Sequence, residues 1–133
     1  MEDIEMMYQK NILDHYKNPR NFGRIENASV HHHEKNPLCG DVLDIFLIIG
    51  RNGKINEVKI EAHGCAISTA SASMLGEKAK GMHADEIKKL KKEDILEMLG
   101  IPISPARLKC ALLSMDTFKN SVLIYEKYVY KKH

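Results

Sequence analysis

Apolar residues recur at helical spacing at the start of the chain, at Ile4, Met7, Ile12 and Tyr16 with Leu13 beside them, until Asn18-Pro19 ends the pattern. Residues up to about Lys17 therefore read as an amphipathic helix whose apolar face must dock on something. The pattern then changes. Residues 42–49 are a run of branched apolar side chains, and 54–62 place Ile55, Val58, Ile60 and Ala62 among charges. Arg51-Asn52-Gly53-Lys54 lies between the two runs, and Asn-Gly in that position predicts a hairpin. With a further strand expected near 28–33, the prediction is a small antiparallel sheet of about three strands.

From Ile67 through Lys80 small and helix-forming residues take over, and Gly81 is suited to cap the C-terminus of that helix. Two short charged helices are expected around 84–90 and 93–99. Gly100 and Pro102 interrupt the pattern, and Ser104 and Pro105 suit the cap and first position of a last helix that carries Cys110 and runs through about Tyr130. Val122, Leu123, Tyr125, Tyr128 and Val129 give that helix a core side, and the seven methionines read as gap fillers. Strands first and helices after predict an α+β fold, with helices packed on one face of the sheet. A chain of 133 residues can bury a real core, and no repeat or linker marks a boundary, so 1–133 reads as a single domain.

Composition narrows the function. Hydrophobic residues make up 44% and charged residues 29%, with no tryptophan, which is the balance of a soluble globular protein. The net charge of +2 offers no electrostatic footprint for nucleic acid or an anionic membrane. Met1-Glu2-Asp3-Ile4-Glu5 is acidic where a secretory signal would be basic, and no apolar stretch approaches the ~20 residues that span a bilayer. The expectation is a cytoplasmic protein.

In a reducing cytosol three cysteines are available for metals or catalysis rather than disulfides. A single cysteine is commonly a small buried hydrophobe. These three, however, sit in Pro37-Leu38-Cys39-Gly40-Asp41, His63-Gly64-Cys65-Ala66 and Arg107-Leu108-Lys109-Cys110, each with glycine, proline or charge nearby. Three thiols and a carboxylate can fill the corners of a tetrahedral metal or iron-sulfur site. If the Cys39 segment enters its strand extended, Cys39 and Asp41 face the same way, with Gly40 letting the backbone pass close to an ion. Cys65 is expected at a strand-to-helix junction, where unpaired N–H groups and the helix dipole favour a thiolate. Cys110 is expected more than a turn inside its helix, with Arg107 and Lys109 as nearby cations. No Cys-x-x-Cys pair occurs, so zinc ribbons, thioredoxin-like centres and ferredoxin ligand runs fit poorly, and the ligands must come from three separate places.

The opening Ile12-Leu13-Asp14-His15-Tyr16-Lys17-Asn18-Pro19-Arg20-Asn21-Phe22-Gly23, followed in order by Cys39-Gly40-Asp41, Gly64-Cys65 and Lys109-Cys110, resembles the U-type iron-sulfur cluster assembly scaffolds, the IscU and NifU N-terminal family. The resemblance covers most of the chain and implies an IscU/SufE-like fold. It also implies a ligand set of Cys39, Asp41, Cys65 and Cys110 holding a transient [2Fe-2S] cluster. Sulfur would arrive as persulfide from a pyridoxal-phosphate cysteine desulfurase, iron would be bound on the scaffold, electrons would come from a donor such as a ferredoxin, and the cluster would pass to apo iron-sulfur proteins. The scaffold would be a monomer or homodimer and not an enzyme in the strict sense. A carboxylate is a harder, weaker partner for the cluster than a fourth thiolate, which suits a cluster meant to leave. Persulfide transfer needs a thiolate to attack a sulfur–sulfur bond, and Cys110 with its cationic neighbours is the first candidate acceptor, Cys65 the second.

Two departures qualify the resemblance. Many such scaffolds carry histidine immediately before the last cysteine, where this chain has Lys109. The Leu-Pro-Pro-Val-Lys segment that binds a dedicated Hsp70-type chaperone is replaced by Ile103-Ser104-Pro105-Ala106-Arg107-Leu108-Lys109, which weakens the case for that partnership. Lys109, Gly64-Cys65-Ala66-Ile67-Ser68 and Ser71-Ala72-Ser73-Met74 instead look like the SufU branch, zinc-holding sulfur acceptors that act on a cysteine desulfurase. That branch carries an extra segment before its last cysteine, whereas here only 44 residues separate Cys65 from Cys110. Scaffold and zinc-dependent sulfurtransferase both stand at this point. A purely structural zinc module is disfavoured by the aspartate ligand.

Three further features are weighed. Of His31-His32-His33, at most His31 and His33 converge on one strand face, and a solvated edge strand is the simpler reading. His63, two residues before Cys65, is placed by strand alternation on the same side as a spare ligand or proton donor. Lys88-Lys89-Leu90-Lys91-Lys92 reads as a solvated face balanced by Asp85, Glu86, Glu93 and Asp94.

Overall fold

The computed structural model describes residues 4–38 and 40–132, with side chains for 6–38 and 40–130. Its elements run α1 (Ile4–Lys17), β1 (Val30–Lys35), β2 (Val42–Ile49), β3 (Ile55–His63), α2 (Ala66–Ala79), α3 (Ala84–Lys88), α4 (Lys92–Leu99) and α5 (Pro105–Lys132). The three strands form one antiparallel sheet in the order β1-β2-β3. The expected α+β arrangement of a three-stranded sheet with helices on one face is therefore present.

The β2–β3 hairpin turns where Asn52-Gly53 predicts it. Gly53 adopts φ +84°, and the carbonyl of Gly50 accepts its N–H at 2.9 Å, while Asn52 Oδ1 accepts from the Lys54 N–H at 3.0 Å. A side chain at Gly53 would collide with the imidazole of His83, because the loop tip is packed on the start of α3. Strand β1 lies two residues later than the 28–33 expected from composition. Backbone pairing continues through Glu34 opposite Leu43 and Lys35 opposite Val42, and a charged end is well tolerated on an edge strand.

Alternation sorts the sheet into two faces. Leu43, Ile45, Leu47, Val58 and Ile60 point toward the helices and are at most 2% exposed. They meet Leu75 of α2, Ile87 of α3, Ile95 and Leu99 of α4, and Phe118 and Val122 of α5 in one core. Helix α2 can run through this core because its buried positions are mostly alanine and serine, which let neighbouring elements come close.

Helix α1 docks on α2 along a different stripe from the one its apolar residues suggest. The buried side chains are Ile12 and His15, Tyr8 lies against Gly100, and Met7, Leu13 and Tyr16 are exposed. A polar residue holds the central position, so a hydrophobic pattern could not find it. His15 Nδ1 lies 2.7 Å from the Ser73 hydroxyl, which also accepts from the Arg20 N–H at 2.8 Å. One hydroxyl of α2 thus ties down both α1 and the chain that follows it. Burial, aided by the nearby Arg20 charge, pulls the His15 pKa below its ordinary value of 6.5, against the opposing pull of Glu77 and Asp14.

The folded state therefore holds His15 neutral at pH values where the unfolded chain protonates it, and stability is lost as pH falls below about 6.5. Urea midpoints measured from pH 7.5 to 5 are expected to fall more steeply for the native protein than for His15→Asn, which cannot titrate.

Candidate metal and cluster site

Three elements deliver one donor each to the end of the sheet. Asp41 immediately precedes β2, Cys65 is the N-cap of α2, and Cys110 lies in the second turn of α5. A carboxylate oxygen of Asp41 and the two Sγ atoms lie within 4.8 Å of one another. Tetrahedral ligands at zinc-thiolate bond lengths sit about 3.5–4 Å apart, so small side-chain adjustments would close this set on an ion. Asp41 and Cys110 are buried and Cys65 is half-buried; Cys65 and Cys110 are outside any disulfide. Cys39, the remaining member of the expected set, lies outside the described residues.

The β2–β3 register sets the first contact. With Val42 opposite His63, the chain leaves β3 beside Asp41, and the Cys65 N–H donates to Asp41 Oδ1 at 3.3 Å. Cys65 then caps α2: its sulfur accepts from the Ser68 N–H at 3.5 Å, and the Ser68 hydroxyl lies 3.7 Å from the same sulfur. An anionic sulfur here faces the positive end of the α2 dipole. Gly64 makes the approach possible, since a Cβ there would stand 2.6 Å from both the Asp41 carboxyl carbon and the Ser68 hydroxyl.

A buried latch fixes α5 against α2. The Ser71 hydroxyl donates to the Ala111 carbonyl at 2.8 Å and lies 2.8 Å from the Ser114 hydroxyl, and both serines are fully buried. Cys110 is the residue before Ala111, so this latch controls where its thiol sits. Arg107 and Lys109 take opposite sides. Arg107 borders the groove between Ile67 and the 101–104 segment, while Lys109 lines a cleft of about 400 Å³ with Asn36, Pro37 and Leu38.

Two local expectations change. The loop before β2 is not extended, because Gly40 has φ +75° and its N–H returns to the Asn36 carbonyl at 2.8 Å. A Cβ at Gly40 would meet nothing within 4 Å, and glycine suits the position through its left-handed backbone. His63 is exposed and has the alternation parity of Glu61 and Lys59, whereas Asp41 shares the inward parity of Leu43. It therefore points away from Asp41 and is not part of the three-donor group. Ser68 stood out in the sequence only as part of a SufU-like motif; the signal for its contact with the Cys65 sulfur is the spacing Cys-x-x-Ser at a helix start, a capping arrangement with sulfur as acceptor.

The chain has relatives over most of its length. A family model described as NifU-like N terminal domain matches residues 7–132. The chain is 36% identical over 129 residues to the iron-sulfur cluster assembly enzyme IscU of Drosophila melanogaster, an alignment covering 95% of this chain and 82% of that protein. It is 32% identical over 129 residues to the iron-sulfur cluster assembly scaffold protein IscU of Escherichia coli K12, covering 91% of this chain and 95% of the relative. Among solved structures, SufU of Fervidobacterium islandicum AW-1 superposes with a TM-score of 0.74 at 29% identity, covering 90% of this chain and 99% of that one. The N-terminal NifU-like protein of Brucella abortus gives 0.76 at 22% identity, covering 93% and 97%, and shares the fold. No helix of the described residues is long and apolar enough to cross a membrane.

Gly64→Ala is expected to displace the Asp41 carboxylate and weaken Zn2+ binding about 10–100-fold, the range typical when a ligand's support is disturbed. Competition against a chromophoric chelator measures the loss. The atoms nearest the added methyl belong to the side chains of Asp41 and Ser68, so the helical circular dichroism is expected to stay as in the native protein.

Proposed function

This chain belongs to the NifU-like N-terminal domain family, and we propose that it is a single-domain scaffold on which [2Fe-2S] clusters are assembled and from which they pass to apo-proteins. The observation that carries this reading is the convergence of Asp41, Cys65 and Cys110 from three separate elements. Cys39 would supply the remaining thiolate. The cluster is cargo here: three thiolates hold it, and the Asp41 carboxylate is the corner that exchanges most easily. A cysteine desulfurase would be the sulfur source, with an electron donor such as a ferredoxin, and the reactions would take place in the cytoplasm.

Sulfur transfer needs no external oxidant. The thiolate of Cys110 attacks the outer sulfur of the desulfurase's cysteine persulfide, one sulfur–sulfur bond forms as another breaks, and the desulfurase cysteine leaves as a thiolate. The cation of Lys109 beside the cleft suits an incoming anionic persulfide. Cys65 is more open to solvent and is the alternative acceptor.

The zinc-dependent sulfurtransferase reading is not favoured. Relatives at 32–36% identity carry the IscU name, and α4 and α5 are joined by residues 100–104 alone, without an added segment before Cys110. Zinc would still fill the same donors in protein isolated without iron.

Anaerobic incubation of apo-protein with a cysteine desulfurase, cysteine, ferrous iron and reductant is expected to give the visible and Mössbauer signature of a [2Fe-2S] cluster that moves to apo-ferredoxin. No cluster, together with tightly held zinc and faster desulfurase turnover, would refute the scaffold reading in favour of the sulfurtransferase. With 35S-labelled cysteine, Cys110→Ser is expected to abolish label on the scaffold, whereas Cys65→Ser retains it; the reverse pattern would make Cys65 the acceptor.

A further inference from the structure

The histidine triplet lies outside the group formed by Asp41, Cys65 and Cys110, yet the structure does more with it than leave it in solvent. His31 and His33 point to the outer face of the sheet, away from the helices, and β1–β2 pairing sets His33 opposite Asp44 and His31 opposite Phe46. Both imidazoles turn to one carboxylate. His31 Nε2 lies 2.8 Å from Asp44 Oδ1, and His33 Nδ1 lies 3.2 and 3.1 Å from its two oxygens. The His31 ring is stacked on Phe46 with centroids 4.1 Å apart and planes 12° from parallel, which fixes the edge it presents to Asp44. His32 points the other way and bonds to Glu34.

We propose that His31, His33 and Asp44 form a second metal site, on the outer face of the sheet, for one divalent transition-metal ion of the Fe2+, Co2+ or Zn2+ class. Two imidazole nitrogens and one carboxylate oxygen suit these ions, whereas Ca2+ and Mg2+ prefer sites made of oxygen alone. Both histidine side chains are about half exposed, 49% and 56%, so water can complete the coordination and the ion can reach the site directly. The present spacing is that of hydrogen bonds, and unlike Asp41, Cys65 and Cys110 the three donors do not all lie within 4.8 Å of one another; an ion drawing its ligands to about 2.0–2.2 Å would replace the bridging protons and turn the half-exposed His33 ring toward His31, which Phe46 holds in place. The anionic partner is in place: burial pushes the Asp44 carboxyl up, but hydrogen bonds from His31 and His33 outweigh this and hold it below its ordinary range. Glu61, facing Asp44 from β3, is engaged by Arg24, so it neither completes the site as a ligand nor leaves a second uncompensated charge beside it.

This site contains no sulfur, and that permits a test independent of the assembly reading. Co2+ is the probe, because thiolate ligands give an intense sulfur-to-cobalt charge-transfer band that an imidazole and carboxylate set lacks. Anaerobic titration of the full chain is expected to show one equivalent that produces this band and a second that does not. His31→Gln/His33→Gln should lose the second equivalent and keep the band. Asp44→Asn, which retains both histidines, should weaken the second equivalent about tenfold or more, and His32→Gln should leave both in place. A native protein without a second equivalent would overturn the proposal, as would a second equivalent that survives both His31→Gln/His33→Gln and Asp44→Asn. If the double variant fails to fold by circular dichroism, Asp44→Asn decides alone. Loss of the charge-transfer band in every protein would count against the thiolate site and leave this one standing.

Discussion

The pairing register of β2 with β3 is the constraint on which the site depends. Val42 opposite His63 places the last residue before β2 beside the first turn of α2, so that the Cys65 N–H meets Asp41. A slip of one residue would exchange the two faces of β2, turning Asp41 outward with Leu43 and bringing Val42 and Asp44 inward. The register is protected from both ends. At one end the Asn52-Gly53 turn is packed on His83, and at the other Gly64 admits the Asp41 carboxylate where any Cβ would expel it. Between them Leu43, Ile45, Leu47, Val58 and Ile60 can be buried in only one alignment.

The remaining donor is placed by a different kind of force. Cys110 belongs to α5, which is held against α2 by core packing of Phe118 and Val122 and by the hydroxyls of Ser71 and Ser114. Apolar packing alone permits a helix to slide or rotate slightly. A fully buried hydroxyl that must find a partner does not, because leaving it unsatisfied costs about 1–3 kcal/mol. The polar pair therefore fixes the rotation of α5 one residue from the thiol. The same device recurs at Ser73, whose hydroxyl ties His15 and Arg20 to the next turn of α2. Helix α2 is thus a spine whose serines orient two neighbours and whose N-cap is itself a donor.

Element boundaries were legible because each has a chemical mark: Asn18-Pro19 after α1, Asn52-Gly53 between strands, Gly81 after α2, Pro105 at the start of α5. The rule that three dispersed thiol motifs belong together was also legible, and the fold brings Asp41, Cys65 and Cys110 to one place. What the sequence hid were side-chain pairings across distance. The inward stripe of α1 contains His15, which counts as polar in any hydrophobic pattern but is buried because Ser73 answers it. Counting from Cys65 offered His63 only as a spare ligand, and Gly64 and the N-cap turn break the strand alternation on which that count relied. Gly40 carries a further requirement that spacing did not reveal, a left-handed φ of +75°.

The two faces of the sheet divide metal chemistry by ligand softness. On the helix-covered side, sulfur donors converge from elements far apart in sequence, and no two of them can close on an ion until the fold has formed. Binding of an ion or cluster by these donors would therefore be coupled to the packing of α2 and α5 against the sheet end. On the outer side, the proposed donors His31, His33 and Asp44 are neighbours on two paired strands and are brought together by the pleat, while β1 itself is held to α5 through Glu34, which accepts from Thr117 and Asn120.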